Sequence, residues 1–570
     1  MKIVVAKTAG FCMGVRRAVD MVLDAANTSD EPVFTFGPLI HNPQVLEMLR
    51  EKGIHQIDEI PSKGHGVVLI RAHGVPPEDE KALEDAGFTV INATCPRVVR
   101  VQSIIHRYAS KGYATIIIGD ERHPEVVGLL GYAKGKGHTV SSMDSLISLP
   151  VFDNAVVVAQ TTQDTDFYAR VKHWCADHAP HYKIFDTICG STEKRQAEIR
   201  QLAQENDAVV VVGGKQSGNT KRLAQIASQT GKPAIHIEDV SQMDYKMLRS
   251  ARSVVITAGA STPNWIIAQA CQQIESSLRK PHGFKKGLYL LRDFLMKTNI
   301  MAAAGAGSLT YACSVFQGIS NHVHHALIAM LYVLSMHILN NLFTVKSDKY
   351  NHPRRADFYN KNKIYLWFLA AISGATGLYL SYTSGVLSFG ILLIMSLLGL
   401  SYNLKIIPLV GKNGRTGRIQ DISGSKTILI TIAWGIVTTL LPAVENKCQL
   451  WPALVMFIFA TGLVFSRTAF FDILAIQGDR ITGKETLPIL WGEKKSFSII
   501  KAVLVFEICL ILLIFFTDLL AKGVFLLAFI PFVMLLLIRF FEKDSHISGT
   551  RREFIIEFLF FASGCLAAVI

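Results

Sequence analysis

Between Ile364 and Leu404 the chain carries no Asp, Glu, Lys or Arg. Such a run is too long for one core helix and long enough for two membrane spans broken near Ser384-Gly385. Further uncharged stretches lie at about 299–318, 326–345, 427–444, 448–466 and 523–538, and two more apolar stretches, near 502–517 and 554–570, contain Glu507 and Glu557. Nine membrane helices are therefore expected after about residue 298, as an all-α bundle. The part before it has charges throughout and reads as soluble protein, so the mean hydropathy of +0.31 averages two unlike regions. The expected organisation is a soluble domain over 1–280, a basic linker over 281–297 holding Lys285, Lys286, Arg292 and Lys297, and a membrane domain over 298–570.

The basic residues explain orientation better than they explain a nucleic acid. Many of the cations behind the net charge of +13 fall in connections between apolar spans (346–363, 405–426, 467–495 and 539–552), and the opposite connections are short. Those loops and the basic linker then share the cytoplasmic face, which places the soluble domain in the cytoplasm and the protein, multi-pass, in the inner membrane; no nucleic-acid partner is expected. The chain opens on a strand-like run, Lys2 to Lys7, with no apolar signal segment before it. In a reducing compartment nine cysteines do not form a disulfide framework. Cys313, Cys448, Cys509 and Cys565 fall in or beside membrane segments, leaving Cys12, Cys95, Cys175, Cys189 and Cys271 for chemistry.

In the soluble part, short β-branched runs such as Val67–Ile70, Ala155–Val158 and Ala208–Gly213 alternate with amphipathic helical stretches, an α/β pattern. Buried parallel strands present their ligand-binding loops at the C-terminal ends, and the unusual motifs follow these runs. Cys12, Cys95 and Cys189 each open a helix, where free N–H groups and positive potential favour a thiolate. Their intervals are consistent with three lobes giving one thiolate each to a central site, although single dispersed cysteines also occur as buried small residues. His41, His73, and His123 with Glu125 lie in Gly/Pro-rich turns where packing seldom calls for an imidazole. With Ser217-Gly218-Asn219-Thr220 and Gly259-Ala260-Ser261-Thr262 they could surround a small anion with donors, while each Ser or Asn alone reads better as a turn or cap.

Taken in order, Gly10-Phe11-Cys12, the His41 loop, Arg71-Ala72-His73-Gly74, Ala93-Thr94-Cys95-Pro96, His123-Pro124-Glu125, Gln160-Thr161-Thr162, Thr187-Ile188-Cys189, Arg195-Gln196, Ser217-Gly218-Asn219 and Ala258-Gly259-Ala260-Ser261 closely resemble the 4-hydroxy-3-methylbut-2-enyl diphosphate reductase family, IspH or LytB, across roughly residues 1–280. The resemblance implies a [4Fe–4S] cluster on Cys12, Cys95 and Cys189 inside a three-lobed α/β domain. It implies reductive dehydroxylation of 4-hydroxy-3-methylbut-2-enyl diphosphate to isopentenyl and dimethylallyl diphosphate, the terminal step of the non-mevalonate pathway. Glu125, with Thr161 or Thr162, would supply the proton. His41, His73, His123, Thr161, Thr162, Ser217, Gly218, Asn219 and Ser261 would hold the substrate, its diphosphate without bound magnesium, and reduced ferredoxin or flavodoxin would be the electron donor. At Gly218 the family often carries a small polar residue, so one diphosphate hydrogen bond is expected to be absent or to come from backbone N–H.

In the membrane part, Asn340-Asn341-Leu342-Phe343-Thr344 leads on to Asp348, and Asp472 precedes Gln477-Gly478-Asp479-Arg480 and Thr486-Leu487-Pro488. Such paired acidic loops could hold Mg²⁺ against a prenyl diphosphate, or be solvated connections. The arrangement resembles the UbiA superfamily of intramembrane prenyltransferases over roughly 288–570, with a prenyl diphosphate and Mg²⁺ site at Asn340, Asp348, Asp472 and Asp479. Asn341, Thr344 and Ala475 stand where that family has acids. Two readings of the membrane half follow: a prenyl-transferring domain, or a degenerate anchor or lipid-binding module for the reductase. A third hypothesis, a redox sensor without turnover, would need the thiolates alone and leaves the His, Glu, Thr and Ser/Asn motifs unexplained.

Overall fold

The computed structural model describes residues 2–278, 284–402, 409–410, 416–417, 424–517, 519–521, 523–543 and 549–569. The chain divides into two compact units, Met1–Lys280 and Pro281–Ile570. In the first, the β-branched runs become strands of three four-stranded sheets, every pairing parallel. One sheet joins the two ends of the unit, in the order Lys2–Val5, Ser253–Ala258, Ala208–Val212, Ala234–Ile237. The second runs His55–Ile57, Val33–Phe36, Val67–Ile70, Thr89–Asn92, and the third Gly137–Val140, Ala114–Ile118, Ala155–Ala159, Lys183–Ile184. The three-lobed α/β expectation is met.

Central strands are buried along their whole length because helices cover both faces. In the third sheet the two-residue period sorts Ile116, Ile118 and Val157 onto the side of Tyr168 and Val171, and Ile117, Val156 and Val158 onto the side of Val98 and Ile105. This packing fixes the strands and leaves the loops after them free to carry polar groups. Cys12 follows the Lys2–Val5 strand of the first sheet, Cys95 the Thr89–Asn92 strand of the second, and Cys189 the Lys183–Ile184 strand of the third. Each lobe thus offers one thiol at the same end of its sheet.

Among its described residues the second unit is helical apart from two two-residue strands, Leu409–Val410 and Thr416–Gly417. Each of the nine expected spans coincides with a described helix. Six are long and apolar enough to cross a membrane: His322–Val345, Lys363–Ser384, Ser425–Glu445, Leu450–Ile481, Glu493–Phe515 and Val524–Glu542. Ile300–Phe316 and Val386–Ser401 are shorter apolar helices, and Gly549–Ala567 carries four charges. Small residues let the backbones close up: a Cβ added at Gly305 would lie 2.9 Å from that of Phe560, and one at Gly564 2.9 Å from that of Ser308. Most of the stretch read as a basic linker forms the helix Phe284–Lys297, while 279–283 and most of the 405–426 connection lie outside the described residues.

One local expectation needs correction. The acidic motifs do not sit in loops. Asn340 to Asp348 continue the helix His322–Asn351, and Asp472 and Asp479 ride on Leu450–Ile481. Nothing between His322 and His352 breaks a helix, since the first proline is Pro353, whereas Gly483 at φ 71° follows the end of the second.

Candidate functional site

Nine loops of the first unit meet at one cavity of about 710 Å³ including its mouth, lined by Cys12, His41, His73, Cys95, His123, Glu125, Thr161, Thr162, Cys189, Ser217, Gly218, Asn219 and Ser261 among others. All thirteen residues expected from the sequence to hold cluster or substrate are on its wall. Cys12, Cys95 and Cys189 are the N-caps of the helices Met13–Thr28, Pro96–Ala109 and Gly190–Glu205. Cys12 Sγ accepts from Val15 N at 3.4 Å. Burial pushes the Cys95 thiol up, and the nearby Cys12 and Cys189 thiols add to the effect against the N–H groups of Arg97 and Val98. Gly14 keeps this crowding possible, because a Cβ there would stand 2.4 Å from Cys95 Sγ.

Two arginines, Arg195 buried and Arg17 half-buried, tie the loops together around the thiols, and sequence reasoning assigned a role to neither. Arg195, 4% exposed, donates to Gly10 O at 2.7 Å and Ala258 O at 3.1 Å, so the Cys189-capped helix, which packs on the first sheet through Ile199 and Ala203, holds two loops of that sheet. Arg17 donates to Thr94 O at 3.1 Å, linking the Cys12 helix to the Cys95 loop. Arg195 sat in a quoted motif; only its burial shows that it braces.

His41, His73 and His123 stand with ring centroids 4.8, 5.4 and 5.8 Å apart. The ligand atoms of the trio lie within 4.8 Å of one another, close enough to grip one ion. The surrounding field says which sign. Burial lowers all three imidazoles, His123 to about 3, and Arg71 pushes each further down, joined by Lys221 at His41 and His123. Neutral rings beside fixed cations suit an anion better than a metal cation. His123 Nδ1 accepts from Glu125 N at 3.1 Å, so its proton sits on Nε2. His41 Nε2, His73 Nδ1 and Asn219 Nδ2 are buried without a hydrogen-bond partner. Buried polar atoms left unpaired cost about 1–3 kcal/mol each, the mark of donors waiting for a ligand. Ser217 caps the helix Gly218–Gln229, adding the free N–H groups of a helix start, and Ser261 Oγ donates to His41 O at 3.1 Å.

Glu125 is 1% exposed on the wall of the same cavity. Its carboxyl takes Thr161 N at 2.6 Å and Thr161 Oγ1 at 2.8 Å. Burial outweighs those two hydrogen bonds and raises its pKa to about 7, so the group holds a proton near neutrality. Thr162 Oγ1 accepts from Gln160 Nε2 at 2.9 Å, while Gln160 Oε1 takes Asp120 N at 3.1 Å. Gln160 is thus a positioning residue that the sequence showed only as part of a motif.

The three convergent thiols, the space Gly14 leaves them and the positive helix ends fit a [4Fe–4S] cluster with three protein ligands.

In the second unit, Asn340, Asp348, Asp472 and Asp479 line one cavity of about 1250 Å³, together with Asn341, Thr344 and Ala475. Two of the three aspartates are paired with cations, and Asp479 keeps Oδ2 buried without a partner. Asp472, fully buried, binds Lys426 Nζ at 2.9 Å and Thr427 Oγ1 at 2.5 Å. Asp348 takes Arg355 at 3.1 Å, and Asp479 Oδ1 takes Asn351 Nδ2 at 3.0 Å, the amide filling space that a side chain at 478 would occupy. Glu557 pairs with Arg467 Nε at 3.0 Å. Asn341 donates to Asn299 Oδ1 and Tyr359 OH, each at 3.4 Å. Among the described residues no three carboxylate, imidazole or thiol groups of this unit converge on one point. A divalent ion would have to break the Lys426–Asp472 or Arg355–Asp348 pair to use those carboxylates.

Residues 3–275 match the model of the LytB protein family and residues 300–563 that of the UbiA prenyltransferase family. The chain is 40% identical over 279 residues to the 4-hydroxy-3-methylbut-2-enyl diphosphate reductase of Alkaliphilus oremlandii, covering all of that protein and 48% of this one. It is 38% identical over 276 residues to that of Aquifex aeolicus, covering 96% of it and 48% of this chain. Among solved structures, the reductase of Plasmodium falciparum aligns at 26% identity over 49% of this chain and 89% of its own, with a TM-score of 0.46. A UbiA homolog from Archaeoglobus fulgidus bound to GPP and Mg²⁺ aligns at 13% identity over 49% and 99%, with a TM-score of 0.36. Through its first half the chain belongs to the LytB family, and its second half, a multi-pass membrane domain, matches the model of the UbiA prenyltransferase family.

Proposed function

We propose that the first unit removes the hydroxyl of 4-hydroxy-3-methylbut-2-enyl diphosphate reductively, giving isopentenyl and dimethylallyl diphosphates. Cys12, Cys95 and Cys189 would hold a [4Fe–4S] cluster, which supplies electrons one at a time and a Lewis-acidic position for the hydroxyl. The rest of the work falls to this chain's side chains. His41, His73, His123 and Asn219 offer unmet or outward donors to the diphosphate, and the N–H groups at Gly218 and Asn219 begin a helix beside them. Anchored there, the five-carbon chain is short enough that its hydroxyl end reaches the thiol side of the same cavity. Glu125 delivers the proton, and Thr161, bonded to both its oxygens, fixes the direction in which it is offered.

The observation that carries this reading is Glu125: a fully buried carboxyl, protonated near pH 7, on a wall shared with three thiols and three neutral imidazoles. Glu125→Gln keeps shape and removes the proton. Turnover should fall on the order of 10²-fold or more with cluster absorption and substrate affinity retained. Near-normal turnover at full cluster content would exclude Glu125 as the donor. Reduced ferredoxin or flavodoxin is the proposed electron source, and the inner membrane, with this unit on the cytoplasmic side, the proposed location.

For the membrane unit we propose binding of a prenyl diphosphate with its polar end in the Asp472 cavity, and transfer of its prenyl group. Support comes from the family match and from Asn340, Asp348, Asp472 and Asp479 sharing one wall. The ion pairs Lys426–Asp472 and Arg355–Asp348 favour a second reading, a lipid-binding anchor without transfer. Radiolabelled geranyl diphosphate offered to detergent-solubilised protein, with and without Mg²⁺, separates them: saturable binding with product supports transfer, binding without product the anchor.

A further inference from the structure

The first turns of the three thiol-capped helices share an unusual outer surface. On Met13–Thr28, Met13 is 60% exposed and Arg16 lies one turn further along the same side. On Pro96–Ala109, Val99 is 42% exposed between Arg97 and Arg100, both exposed. On Gly190–Glu205, Lys194 is exposed. At 1.5 Å of rise per residue, each of these positions stands within about 8 Å along its helix of the cysteine that caps it. These three helix starts therefore expose four cations and two bare apolar side chains, against one exposed acid on the same turns, Glu193. None of the four makes an ion pair among the described residues. Three helix N-termini add positive potential behind the patch.

We infer that this face, Met13, Arg16, Arg97, Val99, Arg100 and Lys194, is the docking surface for a small acidic protein that carries one electron at a time. The inference rests on the reductase reading. Replacing a hydroxyl by hydrogen and releasing it as water takes two electrons and two protons per substrate. Each carrier molecule is oxidised by one electron, so the face is used twice per turnover, and the carrier must leave between visits. Two apolar side chains among four cations suit such a visitor: the cations steer an acidic partner in quickly, and the small apolar area does not hold it long. Electron tunnelling weakens steeply with distance, and every position of this face stands within the first two turns of a cysteine-capped helix.

The test uses the full-length, cluster-loaded protein in detergent with Arg16→Glu, Arg100→Glu and Lys194→Glu combined; Arg97 is left alone because it also lines the substrate cavity. A reduced acidic [2Fe–2S] ferredoxin serves as the protein donor and methyl viologen as the small one. At low salt the KM for ferredoxin should rise about tenfold or more, and the Kd of oxidised ferredoxin by calorimetry should weaken alike. Turnover with methyl viologen and the visible absorption should stay within about twofold of wild type. Raising salt should weaken wild type toward the variant, and Arg107→Glu, on the last turn of its helix, should change nothing. Unchanged ferredoxin kinetics would overturn the inference, the more so if phosphatidylglycerol binding fell instead, giving the face to a lipid surface. Equal losses with both donors would also overturn it, by showing damage to the site. A wild type inactive even with methyl viologen would sink the reductase reading itself.

Discussion

Both units place a polar cavity where a phosphorylated ligand would go, and the two cavities are prepared in opposite ways. In the first, the decisive groups are unspent: His41 Nε2, His73 Nδ1 and Asn219 Nδ2 are buried with no partner, and Glu125 keeps its proton. In the second, two acids are spent, Asp472 on Lys426 and Thr427 and Asp348 on Arg355, while Asp479 gives one oxygen to Asn351 and keeps Oδ2 buried without a partner. A site with unmet donors gains hydrogen bonds when its ligand arrives, whereas a site of closed ion pairs must break some first. Presence of a family's residues is therefore a weaker statement than their availability.

The largest effect that could break this comparison is at the thiols. Cys12→Ser, Cys95→Ser and Cys189→Ser should each abolish the cluster's visible absorption and the reductase activity together. Cys175→Ser and Cys271→Ser should leave both, since burial pushes those thiols up to about 11 and about 12 and they pack into strand cores away from the cavity. Loss of the cluster in Cys175→Ser with retention in Cys189→Ser would reverse the ligand assignment.

Next in size is the pH response. If protonated Glu125 is the donor, kcat/KM falls about tenfold per pH unit once the pH rises above about 7, and Glu125→Gln loses that limb. Folding stability is a poorer reporter. Folded Glu125 holds its proton between its ordinary value of 4.5 and about 7, so stability declines as pH climbs through that window. The lowered histidines act oppositely below about 6.5, where the unfolded chain takes up protons first. A flat kcat/KM from pH 6 to 9 in wild type would remove Glu125 from the mechanism.

A smaller effect probes the second cavity. Asn341 stands where an acid would be expected, but its amide donates to Asn299 and Tyr359. Asn341→Asp should therefore cost about 1–3 kcal/mol, read as a lower Tm in detergent, instead of creating a Mg²⁺ site. A gain in Tm on adding Mg²⁺ to this variant alone would show that the network yields and that the family's acid was merely missing.

What could be read in the sequence divides along the same line. The strands, the three lobes and the thirteen candidate residues that line one cavity of the first unit were legible, because parallel strands announce themselves as β-branched runs and their loops carry groups with no packing role. The spans were legible from the absence of charge. Three things were not. Arg195 and Arg17 work through backbone carbonyls, which have no residue signature. The acidic motifs looked like loops because they are polar, whereas polarity says nothing against a helix that runs on into water until a Pro or Gly ends it. And the ion pairs join residues far apart in the chain, Lys426 to Asp472 and Arg467 to Glu557, so no local pattern predicts that the acids are taken.

The smallest expected effect sharpens what availability means. Gly218 occupies the first turn of a helix whose N-terminus faces the histidines, at a position where a small polar residue would offer one more donor. A Cβ added there meets His123 at 3.5 Å and Gln160 Nε2 at 3.6 Å, ordinary contact, and no positive φ stands in the way. Gly218→Ser should therefore fold normally. In a helix first turn serine also loses less backbone freedom than glycine, worth about 0.5 kcal/mol in its favour. If backbone N–H at the helix start already meets that phosphate oxygen, the new hydroxyl adds little, and inorganic pyrophosphate should bind Gly218→Ser within about threefold of wild type, somewhat tighter. Tightening by more than about tenfold would mean that the first cavity too lacks a donor it needs, and that the contrast between the two sites is one of degree.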